Sequence, residues 1–144
     1  MKKKIIKILL VIIWMIVIFC FSNEPATESS KLSNDFIKHT ISKVIKNDSP
    51  EIIEKYTKPV RKTAHFCVYL ILGLLVLNCF KTDKKCIIYA FIICFLYSIS
   101  DEFHQTFING RSGEILDVLI DSFGSLIGIS LEYLFRSNKI KAKP

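Results

Sequence analysis

The sequence predicts an all-α membrane protein with four transmembrane helices and an amphipathic outer-surface helix between the first two. Three observations carry this prediction. Just over half of the 144 residues are hydrophobic, 51%, and they are gathered into runs long enough to cross hydrocarbon. The net charge of +7 sits mainly at the ends of those runs, where it reads as a topology signal. The one long polar stretch, 22–62, carries apolar residues at helical spacing. The length suits a single domain, residues 1–144, with spans at about 5–21, 64–80, 86–100 and 115–135.

The same pattern excludes other classes. Basic residues that flank apolar spans attract anionic headgroups rather than nucleic acid, and no nucleic-acid-binding motif is present. No nucleic-acid partner is expected, whereas membrane lipids are. The five cysteines form no CxxC pair, and their odd number argues against a disulfide framework or a zinc knuckle. They read as small hydrophobes. A single bridge between Cys20 and Cys67, which would lie toward the same membrane face, is left open.

The first span follows Lys2, Lys3, Lys4 and Lys7. A basic start and an apolar core could be a signal peptide. However, no A-x-A site follows, and Phe19 before Cys20 spoils a lipoprotein box. It is read as an uncleaved helix with its basic end in the cytoplasm. In the outer loop, 22–62, Leu32, Phe36, Ile37, Ile41, Val44 and Ile45 predict an amphipathic helix. It is capped near Ser29 or Ser30, ends near Asn47 and lies on the membrane surface or over the bundle. His39 falls on its polar face and reads as solvated. Ser49-Pro50-Glu51 predicts a short second helix that runs to about Lys58 and is ended by Pro59.

The second span opens with Arg61, His65 and Tyr69, spaced by four and so on one helix face. The third span is short, and its helix is expected to continue through Asp101 and Gln105 until Asn109-Gly110 breaks it. In the fourth span Asp117, Asp121, Gly124, Gly128 and Glu132 form one stripe. The small residues in that stripe predict contact with another helix. The basic N-terminus, the basic turn after Phe80 and the basic tail place both termini in the cytoplasm of a multi-pass cell-membrane protein. The 100–121 hairpin and the start of the second span then meet at one depth on the outer face.

The polar residues at that depth are the candidate site: Arg61, His65, Tyr69, Asp101, Glu102, His104, Gln105, Arg111, Asp117 and Asp121. Ionisable side chains inside a span mark function or a polar core by default. Two aspartates one turn apart on a packed face need counter-charges or protons. Arg111 is expected to fold back onto Asp117 or Glu102, with Arg61 or His65 serving the other acids. His65, Asp101 and His104 offer two histidines and a carboxylate, but no HExxH spacing is present. No metal and no cofactor are expected.

These residues carry a resemblance. Phe21-Ser-Asn-Glu-Pro25 follows the first span, and Arg61-Lys-Thr-Ala-His65-Phe-x-x-Tyr69 opens the second. Asp101-Glu-Phe-His-Gln105-x-Phe-x-x-Gly110-Arg111 precedes Asp117-x-x-x-Asp121-x-x-Gly124-x-x-x-Gly128. In combination they resemble VanZ-like proteins, a family named for a teicoplanin-resistance accessory protein of Gram-positive bacteria. Asn109 departs from the proline common there, although asparagine also tolerates turn geometry. The resemblance implies a cell-envelope role in low-level resistance to teicoplanin and other lipoglycopeptides. It supplies no substrate, cofactor or catalytic residue.

The expected function is therefore an outward polar cleft that holds a lipid-linked or headgroup ligand, with a lipoglycopeptide or cell-wall precursor as the further partner. One alternative is a membrane enzyme using Glu102 or Asp117 as acid or base with His65 or His104. No serine or cysteine stands in an activated context, which weighs against it. The other alternative is a structural or partner-binding bundle.

Overall fold

A computed structural model describes residues 1–37, 39, 50–81 and 83–141. Five helices make up the described chain: α1 Lys2–Ser22, α2 Ala26–Phe36, α3 Pro50–Asn78, α4 Lys84–Gln105 and α5 Ile115–Lys141. No strand occurs among the described residues. In α1, α3, α4 and α5 the apolar stretch is long enough to cross a membrane. Their large hydrophobic side chains are widely exposed, as at Ile13, Leu96, Leu119 and Phe135, which is what a lipid-facing surface needs. The chain is a multi-pass helical membrane protein.

The core of the bundle is the α3–α5 pair, the most extensively packed of all. Lipid tails are as apolar as leucine, so helix association in a membrane depends on close packing rather than on escape from water. The small residues of the fourth span permit it. A Cβ on Gly124 would run into the Phe66 carbonyl, and one on Gly128 into the Leu70 carbonyl. Gly73 meets the Ser125 carbonyl in the same way from the α3 side. The glycine stripe thus faces a neighbouring helix, as its spacing predicts.

Hydrogen bonds to backbone carbonyls tie α1 on. Trp14 Nε1 donates to the Val68 carbonyl at 2.9 Å, and Tyr97 Oη donates to the Met15 carbonyl at 2.6 Å. At one end of the bundle lie Lys2, Asn78, Lys84 and the end of α5. At the other, termed here the polar end, lie Ser22, the start of α3, Gln105 and the start of α5. All five cysteines are free, Cys20 and Cys67 included.

Two expectations about the loop change. The amphipathic helix begins at Ala26, with Pro25 at its N-cap, before the predicted serine cap. Its continuation to Asn47 and the Ser49 cap lie outside the described residues. The expected stop at Pro59 does not occur, because α3 runs through it from Pro50 to Asn78. Proline removes one N–H and crowds the carbonyl four residues back, yet it is tolerated within membrane helices. Thr57 Oγ1 lies 2.7 Å from both the Ile53 carbonyl and Asn34 Oδ1 of α2. Thr63 Oγ1 donates to the Pro59 carbonyl at 2.9 Å. The predicted short helix and second span are one element, and this carries Arg61 and His65 into the bundle on a rigid support.

Candidate functional site

Asp117 and Asp121 stand one turn apart on α5 and are almost wholly buried. Lys62 Nζ of α3 donates to Asp117 Oδ1 at 2.8 Å and to Glu114 Oε2 at 3.2 Å. Arg61 lies farther out, its guanidinium 4.0 Å from Asp117 Oδ2. One turn deeper, Asp121 Oδ2 accepts from Ser98 Oγ of α4 at 3.2 Å. Its other oxygen is 3.5 Å from His65 Nδ1 without completing a hydrogen bond. Ser125, the next residue in the stripe, has its hydroxyl within reach of the Asp121 and Tyr69 carbonyls.

Asp101, Glu102 and Gln105 are buried at the end of α4. Gln105 Nε2 donates to Glu102 Oε1 at 3.0 Å and to Asp101 Oδ2 at 3.4 Å. Glu102 Oε2 accepts from the Glu114 backbone N–H at 3.0 Å, tying the end of α4 to the start of α5. Two glycines permit this return. Gly110 has φ of 76°, in the left-handed region that favours glycine. A Cβ on Gly113 would sit 2.7 Å from the Glu102 carbonyl. The Ser22 and Tyr69 hydroxyls lie beside the Asp101 carboxylate, yet neither they nor Asp101 Oδ1 completes a hydrogen bond.

Arg111 folds back over the bundle but makes neither expected ion pair. It donates to Gln105 Oε1 at 3.3 Å and to the Phe21 carbonyl at 3.1 Å. Its Nε is buried and unpartnered among the described residues. Burial, and then the neighbouring Arg61, pull the guanidinium below its ordinary value, against the opposing pull of Asp101, Glu24 and Glu102. The reason for the changed pairing is reach. Lys62 comes from the facing helix and is already at Asp117, while the Gln105 amide stands between Arg111 and the acids.

A cavity of about 530 Å³ lies against these groups. Ile18 and Phe21 of α1, Leu32 and Phe36 of α2, and Val60 and Val68 of α3 give it apolar walls. Arg61, His65, Asp101 and Arg111 give it a charged side. The structure brings Arg61, His65, Tyr69, Asp101, Glu102, Gln105, Arg111, Asp117 and Asp121 to one end of the bundle. His104 is turned elsewhere: it packs on the Phe19 ring, centroids 4.6 Å apart, and meets Asn23 Oδ1 at 3.3 Å. The set of His65, Asp101 and His104 therefore does not assemble.

Sequence reasoning passed over Lys62, Glu114 and Ser22 as site residues. The spacing of Glu114 and Asp117, three apart and so on one face, was the available signal that a cation must come from across the interface. The family model described as VanZ/LLP1 matches residues 7–136. No curated protein and no solved structure matches the chain.

Proposed function

The chain belongs to the VanZ/LLP1 family, and we propose that this protein binds a lipid with an anionic headgroup at the polar end of its bundle. The observation that carries this reading is Arg111. It borders a cavity with apolar walls, next to a second guanidinium, and has a buried, unpartnered donor and no acid paired to it among the described residues. Two guanidiniums side by side repel each other, and a phosphate between them would relieve that while accepting their N–H donors in the fork geometry arginine offers. The apolar walls formed by Leu32, Phe36 and Val60 suit the adjoining hydrocarbon chain.

With both termini in the cytoplasm, this end faces the outer leaflet. A protein that holds envelope lipids there would reduce the access of lipidated glycopeptides to cell-wall precursors, which fits the low-level teicoplanin resistance implied by the family resemblance. The test is native mass spectrometry of the full chain released from nanodiscs of mixed phosphatidylglycerol and phosphatidylethanolamine. Retention of the anionic lipid is expected, and loss of it in an Arg61→Gln/Arg111→Gln double variant. Equal retention in that variant sinks the lipid reading. Separately, expression should raise the teicoplanin concentration needed for inhibition, and Arg111→Lys should abolish the rise. No rise with the wild-type chain would remove the resistance role.

A further inference from the structure

Behind the cavity, Asp101 Oδ1 and Asp121 Oδ1 are buried without a completed hydrogen bond. His65 of α3, Asp101 and Glu102 of α4, and Asp121 of α5 each offer one ligand atom, and all four atoms lie within 4.8 Å of one another. Opposite ligands around a transition-metal ion with bonds of about 2.1–2.2 Å are at most about 4.4 Å apart. Adjacent ligands sit closer, at about 3.0–3.6 Å, so side-chain movements on the order of 1 Å would close the set around one ion. We propose that His65, Asp101, Glu102 and Asp121 form a binding site for a divalent metal ion of the Mn²⁺ or Zn²⁺ kind.

Unpartnered atoms within the cluster are the second, independent observation. Asp121 is 0% exposed and Asp101 3% exposed, and each keeps one oxygen without a hydrogen bond. That oxygen of Asp121 lies 3.5 Å from His65 Nδ1, within ion-pair reach but without a hydrogen bond at either atom. Three buried carboxylates share a single imidazole, and the nearby cations are engaged elsewhere: Lys62 on Asp117 and Glu114, Arg111 on Gln105 and the Phe21 carbonyl. Buried charges without partners are costly in a low-dielectric setting. One dication offsets the excess charge and gives the free oxygens a partner.

The donor set selects the metal. Carboxylates suit Mg²⁺, Ca²⁺ and Mn²⁺, imidazole suits zinc and its neighbours, and a mixed set of three oxygens and one nitrogen falls where the two ranges meet. Supporting groups are in place, with Gln105 holding Asp101 and Glu102, and Ser98 holding Asp121. His65 and Asp101 also line the cavity, which provides an entry path and room for a water to complete the shell. Metal binding stands whether or not a lipid occupies the cavity.

The test uses the full chain in detergent, purified on an affinity tag without histidines, stripped with chelator and re-equilibrated with micromolar Mn²⁺ or Zn²⁺. Plasma mass spectrometry should find about one metal per chain, and the Mn²⁺ form should lose the free-ion electron paramagnetic resonance signal. Asp121→Asn and Glu102→Gln should each weaken binding at least tenfold, while Glu132→Gln at the far end should not. If Asp121→Asn does not fold, Glu102→Gln and a rise in the wild-type melting temperature with Mn²⁺ or Zn²⁺ decide the matter. Wild-type chain with no more metal than the Glu102→Gln variant overturns the site. Metal retained by the Arg61→Gln/Arg111→Gln variant separates this result from the lipid reading.

Discussion

The two ends of the bundle both carry charge, and they use it differently. At the basic end, Lys7 Nζ donates to the Asn78 carbonyl at 2.9 Å, and Arg136 donates to the Leu77 and Phe80 carbonyls at 3.1 and 3.0 Å. These are carbonyls at and just beyond the C-terminus of α3, where a helix leaves acceptors free and its dipole favours cations. At the polar end, Ser22, His65, Tyr69, Asp101, Arg111 and Asp121 each keep a buried atom without a hydrogen bond among the described residues. The lesson is that burial of charge alone does not mark function. One end closes its hydrogen-bonding account with its own atoms, whereas at the other Ser22, His65, Asp101 and Arg111 keep such atoms on residues that line a cavity.

The comparison can be broken outright at the scaffold both ends share. Gly128→Leu forces a side chain into the Leu70 carbonyl. Overpacking of this kind should cost roughly 3 kcal/mol or more. The expected result is loss of the monodisperse peak in detergent size-exclusion chromatography, and with it both ligand activities. Arg136→Ala comes next. Removing its charged hydrogen bonds should cost about 2 kcal/mol, read as a lower melting temperature, with lipid and metal binding unchanged.

A smaller effect sharpens the contrast. In metal-free protein, Asp121→Asn should change stability by less than about 1 kcal/mol, because it removes one of several crowded buried charges. A loss as large as that of Arg136→Ala would make the polar end a structural network and end the distinction between the two. The smallest effect is Lys31→Ala. It removes an exposed pair with Glu28, 2.6 Å apart, and the melting temperature should not move measurably.

Much of this was legible in the residues. Runs of Ile, Leu and Phe fixed the apolar helices, and the four-residue spacing of Gly124 and Gly128 identified the face of α5 that meets α3. The placement of Asp117 and Asp121 on that same stripe located the polar end. The partners of those acids were not legible. Lys62 rather than Arg111 holds Asp117, and Arg111 goes to an amide and a backbone carbonyl. Pro59 looked like a stop and is a helix interior.

The sequence by itself determined class and the helix faces that pack, since these depend on composition and on periodicity within single segments, and its motifs in combination carried the family resemblance. Which donor meets which carboxylate was decided only by the tertiary structure. Those pairings depend on the depth and rotation of one helix against another, and a one-residue change in either moves a side chain about 100° around its axis. The convergence of His65, Asp101, Glu102 and Asp121 from three helices is of that second kind.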